Sequence, residues 1–123
     1  MGRIDRINEQ VKREISLMLQ RDIQDPRLEF VSITLADVSL DLRNARIYYS
    51  VLLNSHSLEE VQNGFHSARG LIRRLLGQRM KMRFTPELMF SLDESISHSA
   101  KIEDLLQEIH HEHPENYSGD QEQ

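Results

Sequence analysis

The first apolar positions of the chain, Ile4, Ile7, Val11, Ile15, Met18 and Leu19, recur every three or four residues, which sets them along one side of a helix. The spacing predicts a helix over residues 4–22, ended by Asp25-Pro26, because proline disfavours helical backbone in the residue before it. Residues 31–40 alternate instead, with Val31, Ile33 and Leu35 in one phase and Val38 and Leu40 in the other. That change of phase predicts a strand with a bulge near Ala36-Asp37. Beyond the connection Asp41-Leu42-Arg43-Asn44, the run Ala45, Ile47, Tyr49, Val51 and Leu53 keeps strict period two, as a strand with one buried face does. The two strands are expected to form a hairpin.

Ser57 and Glu60 form a capping-box signature, and Leu58, Val61, Phe65 and Ala68 continue from them at helical spacing. Gly70 interrupts this stripe, and Leu71, Ile72, Leu75, Leu76 and Met80 give a second one. The pattern reads as two short helices meeting at a bend at Ala68 and Gly70, with Gly77 an ordinary helical site. Pro86 then precedes Leu88, Phe90 and Leu92, a third strand, and Ile102, Leu105, Leu106 and Ile109 mark a C-terminal helix. Residues 110–123 have almost nothing to bury and are expected to be a disordered tail. The expected fold is therefore α+β, in the order helix, strand, strand, helix, bend, helix, strand. A three-stranded sheet with helices packed on one face, plus the C-terminal helix, would occupy residues 1–109.

A chain of 123 residues, 38% hydrophobic and 28% charged, can build one modest core. It contains no cysteine, which excludes disulfides and thiolate metal sites. No apolar stretch of signal-peptide or membrane-spanning length occurs. A cytoplasmic monomer without membrane contact is the expectation.

The net charge of −5 argues against a polyanionic partner until the charges are located. Residues 1–86 hold fourteen Lys and Arg against ten Asp and Glu, a balance of +4, whereas residues 87–123 hold one Lys against ten acids, a balance of −9. Between Glu60 and Glu87 there is no acid at all, but Arg69, Arg73, Arg74, Arg79, Lys81 and Arg83 are present. This segment is the candidate electrostatic footprint for RNA, against the plainer reading of a solvated helix face. Guanidinium groups grip phosphate bidentately and stack on bases, which suits a patch richer in Arg than in Lys. Arg73 and Arg74 fall between the turns of the apolar stripe and should project to solvent. Arg43 and Arg46, flanking the hairpin connection, join the candidate site.

Other candidate chemistry is thin. Tyr49 shares the phase of Ile47 and Val51 and belongs in the core, while Tyr48 on the opposite face packs across strands or stacks on a base. With 6% aromatics and no Trp, recognition should rest on backbone and shape. His110, His111 and His113 sit in the tail, which lacks the fixed geometry a metal requires, so no metal and no cofactor is expected. The tail's acids would confer solubility, mimic RNA or shield the basic patch. No phosphate-binding Gly-rich loop or nucleophile motif occurs, and an enzyme is not expected.

Several segments, taken in order, resemble the bacterial ribosome-binding factor A family over roughly residues 3–109. They are Arg3-Ile4-Asp5-Arg6-Ile7-Asn8, Val38 to Leu42, Ala45 to Ser50, Ala68 to Arg73, Met82 to Phe90, Leu92 to Ser95 and Ile102 to Leu106. The resemblance implies a type II KH-like domain. KH domains commonly grip nucleic-acid backbone with a Gly-x-x-Gly loop, which is absent from this chain. The family is similar in that departure, with an Ala-x-Gly bend that Ala68-Arg69-Gly70 matches. Also implied are association with the free small (30S) ribosomal subunit and its 16S rRNA, late maturation including processing of the rRNA 5′ end, and growth in the cold. The rival reading is an interaction adaptor whose basic helices dock acidic proteins.

Overall fold

The computed structural model describes residues 2–52 and 56–94. Contacts divide the chain into the units Met1–Leu92 and Asp93–Gln123, and the architecture below is that of the first. The expected C-terminal helix and tail lie outside the described residues.

The first helix, α1 (Arg3–Arg21), opens with Gly2 N donating to Asp5 Oδ2 at 3.2 Å, a negative charge at the positive end of the helix. Its stripe buries Val11, Ile15 and Met18 completely, and Ile4, Ile7 and Leu19 pack beside them. A 3-10 turn at Pro26–Leu28 follows, capped by the Asp25 carboxylate on Arg27 N.

Strands β1 (Val31–Val38) and β2 (Asn44–Val51) are antiparallel, and β3 (Glu87–Leu92) lies parallel to β2, which makes β2 the centre of a mixed sheet. The hairpin is present as expected, but the bulge is at Thr34, where the register slips between Ile33 and Leu35. This corrects the expected position near Ala36-Asp37. The slip rotates Leu35 outward, 48% exposed, and turns Ala36 and Val38 into the core, so Leu35 does not share the face of Ile33.

The crossover from β2 to β3 is a single helix, α2 (Leu58–Arg79), as parallel neighbours require. Its start is the expected capping box: Ser57 Oγ accepts from Glu60 N at 3.1 Å, and Glu60 Oε1 accepts from Ser57 N at 2.8 Å. The expected division into two helices at Ala68 and Gly70 does not occur. Val61, Phe65, Ala68, Ile72 and Leu76 form one buried stripe running past Gly70, whose φ is not positive. Burial along the whole stripe outweighs the roughly 1 kcal/mol that a helical glycine costs.

The helices and the inner sheet face close on each other around Tyr49, Phe65 and Phe90. Ring centroids lie 4.8 Å apart for Tyr49 and Phe65 and 4.3 Å for Phe65 and Phe90. Gly64 lets α2 approach the 3-10 turn, since a Cβ there would stand 3.0 Å from Leu28 Cδ2. On the outer face Asp37, Arg46 and Met89 align across the three strands, all exposed.

Candidate nucleic-acid interface

The six cations of the acid-free segment do not form one uniform patch. Arg69 and Arg74 are exposed on α2 and form no ion pair among the described residues. Arg73, between them in sequence, turns toward β3 and does not project freely to solvent. Its Nη2 donates to Thr85 O at 2.8 Å, its Nε donates to Pro86 O at 3.1 Å, and Nη2 lies 3.2 Å from Glu87 Oε2. The guanidinium is thus a clamp between α2 and the entry to β3. Its expected orientation is corrected because β3 returns directly beneath this side of the helix.

Arg79 is also committed to the fold, with its Nη1 2.9 Å from Asp22 Oδ2 at the end of α1. The hydrogen-bonding guanidinium of Arg79 holds the Asp22 carboxyl below its ordinary pKa, and Asp22 raises that of Arg79 in turn.

Lys81 ends α2. Its φ is 54°, Lys81 N donates to Gln78 O at 3.3 Å and Met82 N to Gly77 O at 2.9 Å, the bond pattern of a Schellman cap with lysine where glycine is usual. The exposed Lys81 side chain follows directly on this turn. Beyond it, Arg83 Cζ lies 5.4 Å from the ring centroid of Phe84, a residue that is 76% exposed.

The parallel pairing of β2 with β3 brings Arg43 into this group from the hairpin connection, far upstream in sequence. Glu87 N donates to Arg43 O at 2.8 Å, locking that connection to the loop before β3. Together Asp41, Leu42, Arg43, Arg73, Met82, Arg83, Phe84, Thr85 and Glu87 line a cavity of about 620 Å3. Arg46 stands apart on the outer sheet face, its Nη1 3.3 Å from Ser91 Oγ. Arg69 edges a separate small cavity of about 220 Å3 with Tyr49, Gln62, Phe65, His66 and Phe90.

The structure therefore joins Arg43, Arg73 and Arg83 at one end, leaves Arg69 and Arg74 along α2, and separates Arg46 and Arg79 from both. Phe84 is the residue that sequence reasoning did not single out. Its signal is an aromatic ring flanked by Arg83 and placed before the period-two pattern of β3 begins.

The ribosome-binding factor A family model matches residues 3–106. The chain belongs to the ribosome-binding factor A family. A family member from Clostridium novyi is 45% identical over 108 residues, covering 87% of this chain and 89% of its own. One from Acetivibrio thermocellus is 45% identical over 109 residues, covering 88% and 89%. Among solved structures, the crystal structure of ribosome-binding factor A from Thermus thermophilus superposes with a TM-score of 0.66 at 23% identity, covering 75% of this chain and 97% of that one. A homology model of the Thermus thermophilus factor, fitted into the cryo-EM map of a 30S–RbfA complex, gives a TM-score of 0.60 at 23% identity and covers 71% and 91%. These structures share the family's fold. No described helix is long and apolar enough to cross a membrane.

Proposed function

We propose that this protein is a ribosome assembly factor that binds the free 30S subunit and its 16S rRNA. It acts there by binding, not by catalysis; it assists late maturation, including processing of the rRNA 5′ end, and supports growth in the cold. The observation that carries this reading is the family match across residues 3–106, and the 30S complex of the related Thermus factor supports it. Exposed Arg69 and Arg74 on α2, with Arg43, Arg83 and Lys81 at its C-terminal end, offer cations to phosphate without acids between them in the helix. In this reading residues 1–109 are a KH-like RNA-binding domain that departs from the Gly-x-x-Gly grip. Residues 110–123 are an acidic tail, and the factor works as a cytoplasmic monomer.

Sedimentation with purified 30S subunits through a sucrose gradient, at low and at moderate salt, tests the proposal. Association is expected at low salt and weaker association at moderate salt. Absence from the 30S peak under both conditions overturns it.

A further inference from the structure

The cavity between the β1–β2 connection and the loop before β3 is built as a fixed frame. One wall is the turn through Leu42, held by Ser39 Oγ donating to Asp41 Oδ1 at 2.7 Å and Arg43 N donating to the same oxygen at 3.1 Å. The other wall runs from the Lys81 cap to Glu87 and is pinned to α2 by the Arg73 fork. The Glu87 N to Arg43 O bond joins the two walls. Leu42 and Lys81, at φ 61° and 54°, are the described non-glycine residues with positive φ, and both occur in these walls. Such backbone persists where the surroundings determine it, and it gathers at binding sites.

Phe84 stands on this frame, 76% exposed, and burying its ring would favour the fold if nothing else required it outside. A single exposed apolar residue is ordinary, and Leu40 and Leu52 are also exposed. Phe84 differs from them in having a guanidinium over its ring and a cavity beside it. The acids of the cavity are spent internally, Asp41 on Ser39 and Arg43 N, and Glu87 on Arg73. The guanidinium groups of Arg43 and Arg83 form no ion pair among the described residues. A flat, π-faced ligand carrying negative charge would meet the exposed ring and these two cations together. The cavity's volume of about 620 Å3 lies within the range of small-ligand pockets.

We propose that this cavity takes one unpaired nucleotide of single-stranded RNA, its base stacked on Phe84 and its flanking phosphates held by Arg43 and Arg83. The inference rests on the RNA-binding reading above and adds a specific subsite to it. Stacking tolerates any base, so the site would recognise an unpaired nucleotide through its shape and backbone, with little sequence preference.

The chain contains no Trp, so Phe84→Trp introduces a single indole reporter at the site. Titration with a fluorescein-labelled, unstructured 12-nucleotide RNA should quench the indole emission in parallel with the rise in fluorescein anisotropy. Phe84→Ala should weaken binding of the same RNA about tenfold, within the range that base–aromatic stacking supplies, and should weaken sedimentation with 30S subunits. Melting curves should match the parent for both variants, because the ring is exposed. RNA that leaves the indole emission unchanged overturns the proposal, whether or not it binds, as does wild-type RNA affinity in Phe84→Ala. Lost 30S association in Phe84→Ala without quenching by RNA would assign the loop to a ribosomal protein instead, and also overturns it. If the parent protein fails to sediment with 30S while RNA still quenches Phe84→Trp, the ribosomal reading falls and the nucleotide subsite stands.

Discussion

At the scale of single residues, neighbours in sequence carry opposite duties. The sequence suggests a bend at Gly70 and an ordinary helical site at Gly77, but both lie within α2, and a Cβ at Gly70 would meet nothing within 4 Å, whereas one at Gly77 would collide with Thr85 Oγ1. Gly70→Ala should therefore stabilise the fold by up to about 1 kcal/mol, the difference in helix propensity. Gly77→Ala should lose that gain, because Thr85 must move and its carbonyl is held by Arg73. Denaturant midpoints of the two variants, compared with the parent, check the order. Arg73 and Arg74 separate in the same way. Arg73→Ala removes two charge-assisted bonds to carbonyls from a partly exposed site and should cost about 1–2 kcal/mol, while Arg74→Ala should change stability by about 0.5 kcal/mol or less. A thermal melt in which both variants match the parent would refute the clamp. None of this could be read from the helical stripe, because the distinction depends on where Thr85 and β3 come to lie. A charge reversal at Arg73 would confound binding with unfolding, so Arg74 is the cleaner probe of phosphate contact.

At the scale of elements, the legible features were those whose signal is local and periodic. Helix α1, the capping box at Ser57 and Glu60, and the alternation of β2 follow from spacing alone, and the structure has all three, the alternation from Ala45 to Tyr49, while Leu53 lies outside the described residues. The bulge lies earlier in β1 than the pattern suggests because Leu35 and Val38 are both apolar, and apolarity alone does not say which one leaves the core. The expected division of α2 into two helices failed for a related reason: a glycine weakens a helix without breaking it when the buried stripe continues on both sides. The cap of α2 is a feature that no stripe announces. Lys81 occupies left-handed backbone that favours glycine, so Lys81→Gly should raise the unfolding free energy by about 1 kcal/mol while removing a cation from the interface. Chemical denaturation and RNA titration of one variant should thus move in opposite directions. The Asp22–Arg79 pair links the ends of α1 and α2 and gives stability a pH dependence. The folded-state pKa of Asp22 is lowered, so its contribution is present above the carboxylate's unfolded pKa and disappears as pH falls through the folded one. Asp22→Asn should flatten the acid limb of a stability–pH curve and leave its neutral-to-basic course parallel to the parent's.

At the scale of the whole molecule, the formal charge of −5 conceals where the cations lie, and the structure refines that distribution further. Sequence located the acid-free run but could not sort its six cations into those that hold the fold and those available to a partner. Two of them, Arg73 and Arg79, make ion pairs within the fold, so counting six phosphate contacts would overstate the electrostatic contribution. Sequence placed Arg43 and Arg46 together beside that run but could not tell them apart: the parallel register in which Asn44 faces Glu87 sets Arg43 near Arg83, while Arg46 lies on the outer sheet face. Affinity for RNA should accordingly fall with salt more gently than the sequence count implies. Each arginine that neutralises a phosphate contributes roughly 0.7 to 0.9 to the slope of log affinity against log salt concentration. The double variant Arg69→Gln, Arg74→Gln should flatten the slope for the unstructured, single-stranded RNA by about 1.4 units, with a melting temperature close to the parent's because both side chains are exposed. Arg79→Gln should do the reverse, lowering the melting temperature through loss of the Asp22 pair and leaving the slope nearly unchanged. Measuring anisotropy at several salt concentrations for the parent and the two variants separates these effects. An unchanged slope in the double variant would remove α2 from the interface and leave the Arg43–Arg83 end as the surface that meets RNA.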